Sequence, residues 1–389
     1  MPTRTGNVLS WATDVDDKTL EQAQRSASLP FIVGPVALMP DAHYGFGATI
    51  GSVIATQGAI IPSAIGVDIG CGMIASRLNL SADDLPDDLA ALHTLISQAV
   101  PAGVGKGHDS FDHALDGFPA PREPWADTKM ATTARDQFGS LGSGNHFVEV
   151  CLDEQDRVWL VLHSGSRGIG NKLATQHIDG AKRLMKRYFI DLPDPDLAYL
   201  VENTPEFGEY IRDMLWAQEY AMGNRQSMMT NVLGCVRAMI PVAEVVETIN
   251  CHHNFTEQEH HHGKNVWLTR KGAIRARTGD RGVIPGSMGT RSYIVSGLGS
   301  SASYQSCSHG AGRRMSRNEA RKTLDLETFN ASMKGIAWNG SPGTRDGNDA
   351  QLLDEDPRAY KDIDTVMENQ RDLVAIEHSL HQVLNYKGT

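Results

Sequence analysis

The chain has 389 residues, 40% of them hydrophobic and 21% charged, a composition that supports a buried core and excludes general disorder. No apolar run approaches the ~18–20 residues needed to span a bilayer, and the N-terminal MPTRTGNVLSWATDVDD lacks the apolar centre of a signal peptide. Net charge is −11, yet Lys264 to Lys322 holds twelve Lys+Arg against only Asp280 and Glu319, so a basic segment on an acidic body suits a phosphate-binding surface.

In chain order, VALMPD, TIGSVIATQ and VDIGCGMIASRLNL read as short strands between Gly and Pro punctuation. Leu85, Leu89, Leu92 and Ile96 place a helix over about 84–99. The stretch 101–128, rich in Gly, Pro and Asp, reads as a long surface loop. A helix follows HSGSRGIGN over roughly 170–190. The longest helical candidate runs from about 206 to 239, with Met222, Met228 and Met229 as core filler. Strands are expected near 265–269, 282–285 and 292–297, a helix near 316–334, and a last helix over about 365–383 before a short tail. Strands and helices alternate without a regular βαβ beat, which favours one mixed α+β domain over 1–389 and not a doubly wound sheet. The five cysteines, Cys71, Cys151, Cys235, Cys251 and Cys307, are odd in number and scattered, which suits free thiols in a reducing cytoplasm.

Chemistry concentrates at element boundaries. Asp68 and Cys71, three residues apart on a glycine turn, can face one ion, the thiolate suiting borderline metals and the carboxylate harder ones such as Mn²⁺. His146 follows a Gly-Ser-Gly turn, His163 ends a strand, and His252-His253 follow the long helix. Imidazole is the commonest nitrogen ligand, so these groups converging on a cleft make a metal centre, which Cys71 could bridge as a dinuclear site. Of His252 and His253, adjacent and pointing apart, only one need be a ligand. The run His260-His261-His262 reads as a solvated turn. His43 and Asp41 remain open between supporting the site and contacting its substrate.

The glycine turns LGSGNH, HSGSRGIGN, IPGSMGT and SHGAGR allow backbone N–H groups to approach phosphate oxygens, with Arg167, Arg313, Arg314 and Arg317 close in sequence as a guanidinium cradle. No GxxxxGK[ST] or strand-to-helix GxGxxG occurs, which excludes the standard kinase and P-loop classes. His309 sits among small residues that leave its imidazole accessible. Nucleophile toward phosphorus, metal ligand and structural residue all stay open for it on these grounds.

Together, PDAHYGFG, GVDIGCG, GSGNHFVE, HSGSRGIGN, NCHHN, TRKGA, IPGSMGTRSY, CSHGAGRRMSR and the terminal YKG resemble the RtcB family of RNA-splicing ligases over nearly the whole chain. The resemblance implies an RtcB-like fold with a central cleft and two Mn²⁺ ions bound by Asp68, Cys71, His146, His163 and His253. It implies His309 as the guanylylated nucleophile, with GTP as the GMP donor. GMP would be held by Asn145, His146, Phe147, Val148, Glu149, His253, Asn254, Pro285, Gly286, Ser287, Met288, Ser292, His309, Gly310, Ala311, Gly312 and Lys387. Glu149 would read the guanine edge. RNA phosphates would meet Arg167, Lys271, Arg313 and Arg317. The activity implied joins an RNA 3′-phosphate or 2′,3′-cyclic phosphate to a 5′-hydroxyl, in tRNA splicing or RNA repair, by a cytoplasmic monomer; whether an archease-like activator is needed stays open. Thr389 follows the Lys-Gly that usually closes such chains, which weakens the role given to Lys387, and 101–135 carries no matching motif. Two rivals remain: a phosphodiesterase or cyclic-phosphate hydrolase on the same metals, which would not need GTP, and a non-catalytic RNA-binding scaffold.

Overall fold

A computed structural model describes residues 2–108, 115–341 and 349–388. Two mixed sheets dominate it. The smaller orders its strands Thr3–Thr5, Val8–Ser10, Val36–His43, Ile50–Thr56, Lys264–Lys271 and Asn254–His261. The larger runs Val245–His252, Gly72–Ser81, Arg157–Ser164, Phe147–Leu152, Val374–Lys387, Ser292–Gly297 and Arg281–Ile284, with Ala337–Trp338 paired to Val374–Lys387 off this path. Strand alternation divides each chain between two faces. One face of the larger sheet carries Val148, Val150, Leu160 and Leu162 beneath Leu92 and Ile96 of helix Ala90–Ala99 and Met228, Met229 and Val232 of helix Pro205–Met239. The other face buries Met73, Trp159, Val161, Ile294 and Leu380. A third cluster ties Met39, Val53 and Leu268 of the smaller sheet to Ile284 and Val295 of the larger. The mixed helix-and-sheet domain expected from the sequence is therefore the one observed. No helix among the described residues is long and apolar enough to cross a membrane.

Helix Pro205–Met239 starts where its sequence says it should. Thr204 accepts a hydrogen bond from Phe207 N at 3.3 Å and Pro205 occupies the first turn, the position where a missing N–H costs least. Its Met228 and Met229 are core filler, as expected. The same helix carries two buried polar residues with a structural task. Arg225 donates to Gly70 O at 2.8 Å, Ser164 O at 3.1 Å and Asn250 Oδ1 at 2.8 Å. Asn224 accepts from Gly139 N at 2.7 Å and donates to Gly165 O at 3.3 Å. The helix thereby fixes three turns at once.

Several expectations need correction. The stretch 365–383 is not a helix: a short helix, Ile363–Glu368, is followed by the fourteen-residue strand Val374–Lys387, and the supposed tail residues Asn385, Tyr386 and Lys387 lie inside it, all buried. The region 316–334 is two helices, Arg317–Thr323 and Leu326–Ser332, broken where Asp325 caps the second through Thr328 N at 2.8 Å. The helix placed at 84–99 begins at Ala90, because Ser81 and Asp84 close a capping box on a separate 3-10 turn. His260 and His261 end a strand and only His262 is in the turn, at φ 51°. Of the supposed surface loop 101–128, residues 109–114 lie outside the described residues. Its later part is anchored, with Trp125 buried 4.6 Å from the Trp216 ring and donating to Asp213 at 3.3 Å.

Candidate metal centre and nucleotide cavity

The strand ends of the larger sheet bring four donors together. The turn before strand Gly72–Ser81 supplies Asp68 and Cys71, the residue before strand Phe147–Leu152 is His146, and His163 is the last residue but one of strand Arg157–Ser164. Register explains the encounter: Gly72 pairs with Ser164, and Phe147 with His163. Gly165 makes room for the Asp68 carboxylate, since a Cβ there would collide with both carboxylate oxygens.

The tautomers of this cluster are set by backbone carbonyls. His146 Nδ1 donates to Leu141 O at 2.9 Å and His163 Nδ1 to Asn145 O at 3.1 Å, which leaves each lone pair on Nε2. Those two nitrogens face acceptors: His146 Nε2 lies 3.1 Å from Asp68 Oδ2 and 3.5 Å from Cys71 Sγ, and His163 Nε2 lies 3.2 Å from Cys71 Sγ and 3.3 Å from His253 Nε2. Burial holds His163 and His253 well below the ordinary imidazole range, so ring protonation does not relieve the facing lone pairs. Burial opposes ionisation of Asp68, but the neighbouring His146 and Arg167 bring its pKa to about 2, so the carboxylate is ionised whether His146 Nε2 carries a proton or meets a cation there. Converging lone pairs with an ionised carboxylate call for a cation, and the N, S and O donor set fits a borderline divalent ion. Cys71, His146 and His163 have ligand atoms all within 4.8 Å of one another.

His309 is placed by a two-stranded ribbon, Ala273–Arg275 with Ser306–Ser308, directly before the SHGAG turn. Its Nδ1 lies 2.6 Å from Asp41 Oδ2, and its backbone N donates to the same oxygen at 3.2 Å. With Nδ1–H held by the carboxylate, the ring's lone pair is left on Nε2. The ring centroid is 4.8 Å from that of His253, which joins His309 to the donor cluster. Gly312, at φ 75°, lets the Asp41 backbone approach so closely that any side chain would strike Asp41 O.

A cavity of about 270 Å³ opens beside His309, lined by Asn145, Phe147, Glu149, His163, His253, Pro285, Gly286, Ser287, Met288, Ser292, Gly310, Ala311, Gly312, Arg313, Arg317 and Lys387. Three further carriers of polarity line it that the motifs had not singled out: Glu355, Tyr360 and Gln382. Lys387 Nζ is 2.7 Å from Glu355 Oε2, which also accepts from Tyr360 OH at 2.7 Å. Glu149 is buried, accepts from Asn385 Nδ2 at 2.8 Å, and burial raises its pKa to about 8 despite Lys387. Lys387 thus lines the cavity and is ion-paired there, while Thr389 lies outside the described residues.

Other expected residues fall elsewhere. Val148 points into the opposite, apolar face of its strand. Asn254 donates to Asp68 O at 3.3 Å and accepts from Gly272 N at 2.8 Å, bracing the turns and not lining the cavity. His146 faces a second cleft with Asp68, Arg167, Gln137 and Lys172. Lys271 is buried, donates to Phe46 O and to Ser63 O at 3.2 Å, and burial lowers its pKa to about 7. The basic segment is largely paired on folding: Arg270 with Glu259 at 2.6 Å, Arg275 with Asp280 at 2.7 Å, Arg281 with Glu377 at 2.6 Å, and Arg317 with Asp354 at 2.6 Å. Sequence clustering overstated the bare positive surface. Arg225 and Asn224, which anchor the donor turns, carried the one signal available, polar residues on the apolar side of a long helix.

A mixed fold with a buried donor cluster opening on a cavity beside an accessible histidine defines a candidate metal-dependent enzyme. The family model described as tRNA-splicing ligase RtcB matches residues 22–126 and 112–388, and the chain belongs to the RtcB family. It is 44% identical to the RNA-splicing ligase RtcB of Escherichia coli (strain K12), covering 96% of this chain and 95% of that protein. It is 32% identical to the tRNA-splicing ligase RtcB of Aeropyrum pernix, over 90% and 87%, and 31% identical to the RNA-splicing ligase RtcB of Mycobacterium tuberculosis, over 89% and 95%.

Proposed function

We propose that this chain is a GTP- and Mn²⁺-dependent RNA ligase that joins RNA 3′-phosphate or 2′,3′-cyclic phosphate ends to 5′-hydroxyl ends through a GMP adduct on His309. The observation that carries the reading is His309 itself, oriented by Asp41 at 2.6 Å, in one cavity with His253 of the donor cluster and with Glu149 and Lys387. The similarity to RNA-splicing ligases supports RNA as the substrate.

His309 Nε2 donates its lone pair to the α-phosphorus of GTP; the N–P bond forms as the bond to the β-phosphate oxygen breaks and pyrophosphate leaves. Asp41 keeps the Nδ1 proton in place and stabilises the positive charge that develops on the ring. An RNA 3′-phosphate oxygen then attacks the same phosphorus, and the N–P electron pair returns to His309. Finally the 5′-hydroxyl oxygen attacks the activated 3′-phosphorus, loses its proton and expels GMP; a cyclic phosphate is first opened by water. Ionised Glu149 accepts from guanine N1–H and the 2-amino group, a pair that adenine does not offer. Asp68, Cys71, His146, His163 and His253 would hold the Mn²⁺, which would supply Lewis acidity for the phosphoryl oxygens. Arg313 and Arg317, which line the cavity, and Arg167, which lines the second cleft, would meet RNA phosphates.

Incubation with α-labelled GTP and Mn²⁺, beside His309→Ala, tests this. The expected result is an acid-labile, alkali-stable label on the wild type only, discharged on addition of RNA with a 3′-phosphate. A metal-loaded, folded protein that opens cyclic phosphates without GTP and takes no label would replace this reading with the hydrolase one. Thermal melts add a second readout: Mn²⁺ raises the transition of the wild type and not that of His163→Ala.

A further inference from the structure

The loop between strands Val36–His43 and Ile50–Thr56 carries an aromatic pair that none of the chemistry above uses. Tyr44 is 48% and Phe46 51% exposed, although large rings are usually withdrawn from solvent. Their backbone is nevertheless fixed. Gln22 brackets Gly45, donating to its O at 2.6 Å and accepting from its N at 3.2 Å, while buried Lys271 donates to Phe46 O. A pinned backbone that presents two exposed rings is a built surface and not a slack loop. Each ring also has an ammonium against it: Lys18 Nζ is 3.9 Å from the Tyr44 centroid and Lys182 Nζ 5.6 Å from that of Phe46. The surface is continuous with the reacting centre, because the residue before Tyr44 is His43, which lines the cavity together with His309.

Exposed rings beside a lysine suit one occupant above others, an unpaired nucleotide, whose base stacks on the ring while Lys18 meets its phosphate; Lys182 is held by Asp196 at 2.5 Å and steadies the Phe46 side of the surface. We propose that Tyr44 and Phe46 are a stacking platform for unpaired bases of the RNA strand that enters the cavity over His43, a proposal that rests on the RNA-ligase reading. On this account Lys271 acts beneath the platform and not on RNA phosphate.

The test uses the full chain with Mn²⁺ and a single-stranded RNA oligonucleotide carrying 2-aminopurine near its end. Affinity is read by fluorescence anisotropy and stacking by 2-aminopurine quenching. Each ring lost, in Tyr44→Ala and Phe46→Ala, is expected to weaken binding by about tenfold, with loss of quenching. Tyr44→Trp and Phe46→Trp are expected to bind as the wild type does, and Phe46→Leu to behave like Phe46→Ala. Affinity of the double alanine variant within twofold of wild type would overturn the proposal. So would a Phe46→Leu variant that binds like wild type, since that would show apolar contact without stacking. Guanylylation with GTP alone is measured in parallel: its absence from the wild type would overturn the ligase reading, while the platform is still judged by oligonucleotide affinity, which needs no chemistry.

Discussion

Replacing Asp41 with asparagine removes one charge while leaving the shape of the site intact. In the wild type, Oδ2 takes both the Nδ1–H and the backbone N–H of His309, at 2.6 and 3.2 Å, while Oδ1 is buried without a partner. An asparagine can keep its carbonyl on His309 and put its amide nitrogen in the Oδ1 position. What is lost is the stabilisation of the imidazolium-like charge that grows as Nε2 bonds to phosphorus. A hydrogen bond to a charged group contributes about 1.5–3 kcal/mol, and about 1.4 kcal/mol is tenfold in rate. If that contribution is realised in the transition state, Asp41→Asn slows guanylylation by about 10- to 150-fold, with little change in the concentration of GTP needed for half-saturation. Single-turnover labelling by GTP, followed over a GTP titration with the fold checked by thermal melting, measures both quantities. A rate within twofold of wild type would refute the orienting and charge-stabilising role. A large rise in the GTP requirement at unchanged maximal rate would refute it too.

Two further outcomes follow from buried charge. Glu149, raised to about 8 by burial, is about nine-tenths protonated at pH 7 in the free protein, whereas the proposed contact with guanine needs it ionised; on that proposal GTP binding is expected to release close to one proton at pH 7. Calorimetry in buffers of different ionisation enthalpy reads this, and equal buffer dependence in Glu149→Gln would sink the assignment. The same shift fixes a sign for stability without ligand: since the folded pKa lies above the usual 4.5, this group's contribution is intact below about 4.5 and is lost as pH rises through about 8. Lys387 and Glu355 are 4% and 3% exposed and 2.7 Å apart. Lys387→Met is expected to cost about 3 kcal/mol in urea unfolding, at the low end for a broken buried pair because Arg317 stays on Glu355. Lys387→Met with Glu355→Gln should recover most of that, and a loss below about 1 kcal/mol for the single variant would show the pair to be energetically idle.

The site was more legible in the sequence than parts of the fold were. Glycine turns beside His, Cys and Asp marked the donor cluster because such turns leave no alternative task for their polar side chains. Asp41 was visible but ambiguous, since only the folded ribbon at Ser306–Ser308 brings it to His309. Glu355 and Tyr360 were invisible, because a lone acid and a lone tyrosine outside any motif gain meaning only from Lys387 across space. The strand Val374–Lys387 misled for a definite reason. Its pairing skips Glu377 against Ser292–Gly297 and Val383 against Phe147–Leu152. Each bulge inserts a residue, which breaks the strict alternation of buried and exposed side chains by which a strand is read from sequence. Val148 shows the opposite limit: a motif names it with its neighbours, but strand alternation turns it to the other side.

The position of Val374–Lys387 also bears on how the protein is made. Phe147–Leu152 and Ser292–Gly297 both pair with it and not with each other, so during synthesis the sheet waits with a vacant row at its middle until the ribosome has released the residues up to Lys387. Until then, two apolar strand edges stand open to any neighbouring nascent chain, the situation in which holding chaperones matter most. The row that completes the sheet also delivers Lys387 to the cavity. A ribosome that stalls shortly before it therefore leaves a product whose cavity lacks Lys387 and whose sheet has two open edges prone to aggregation.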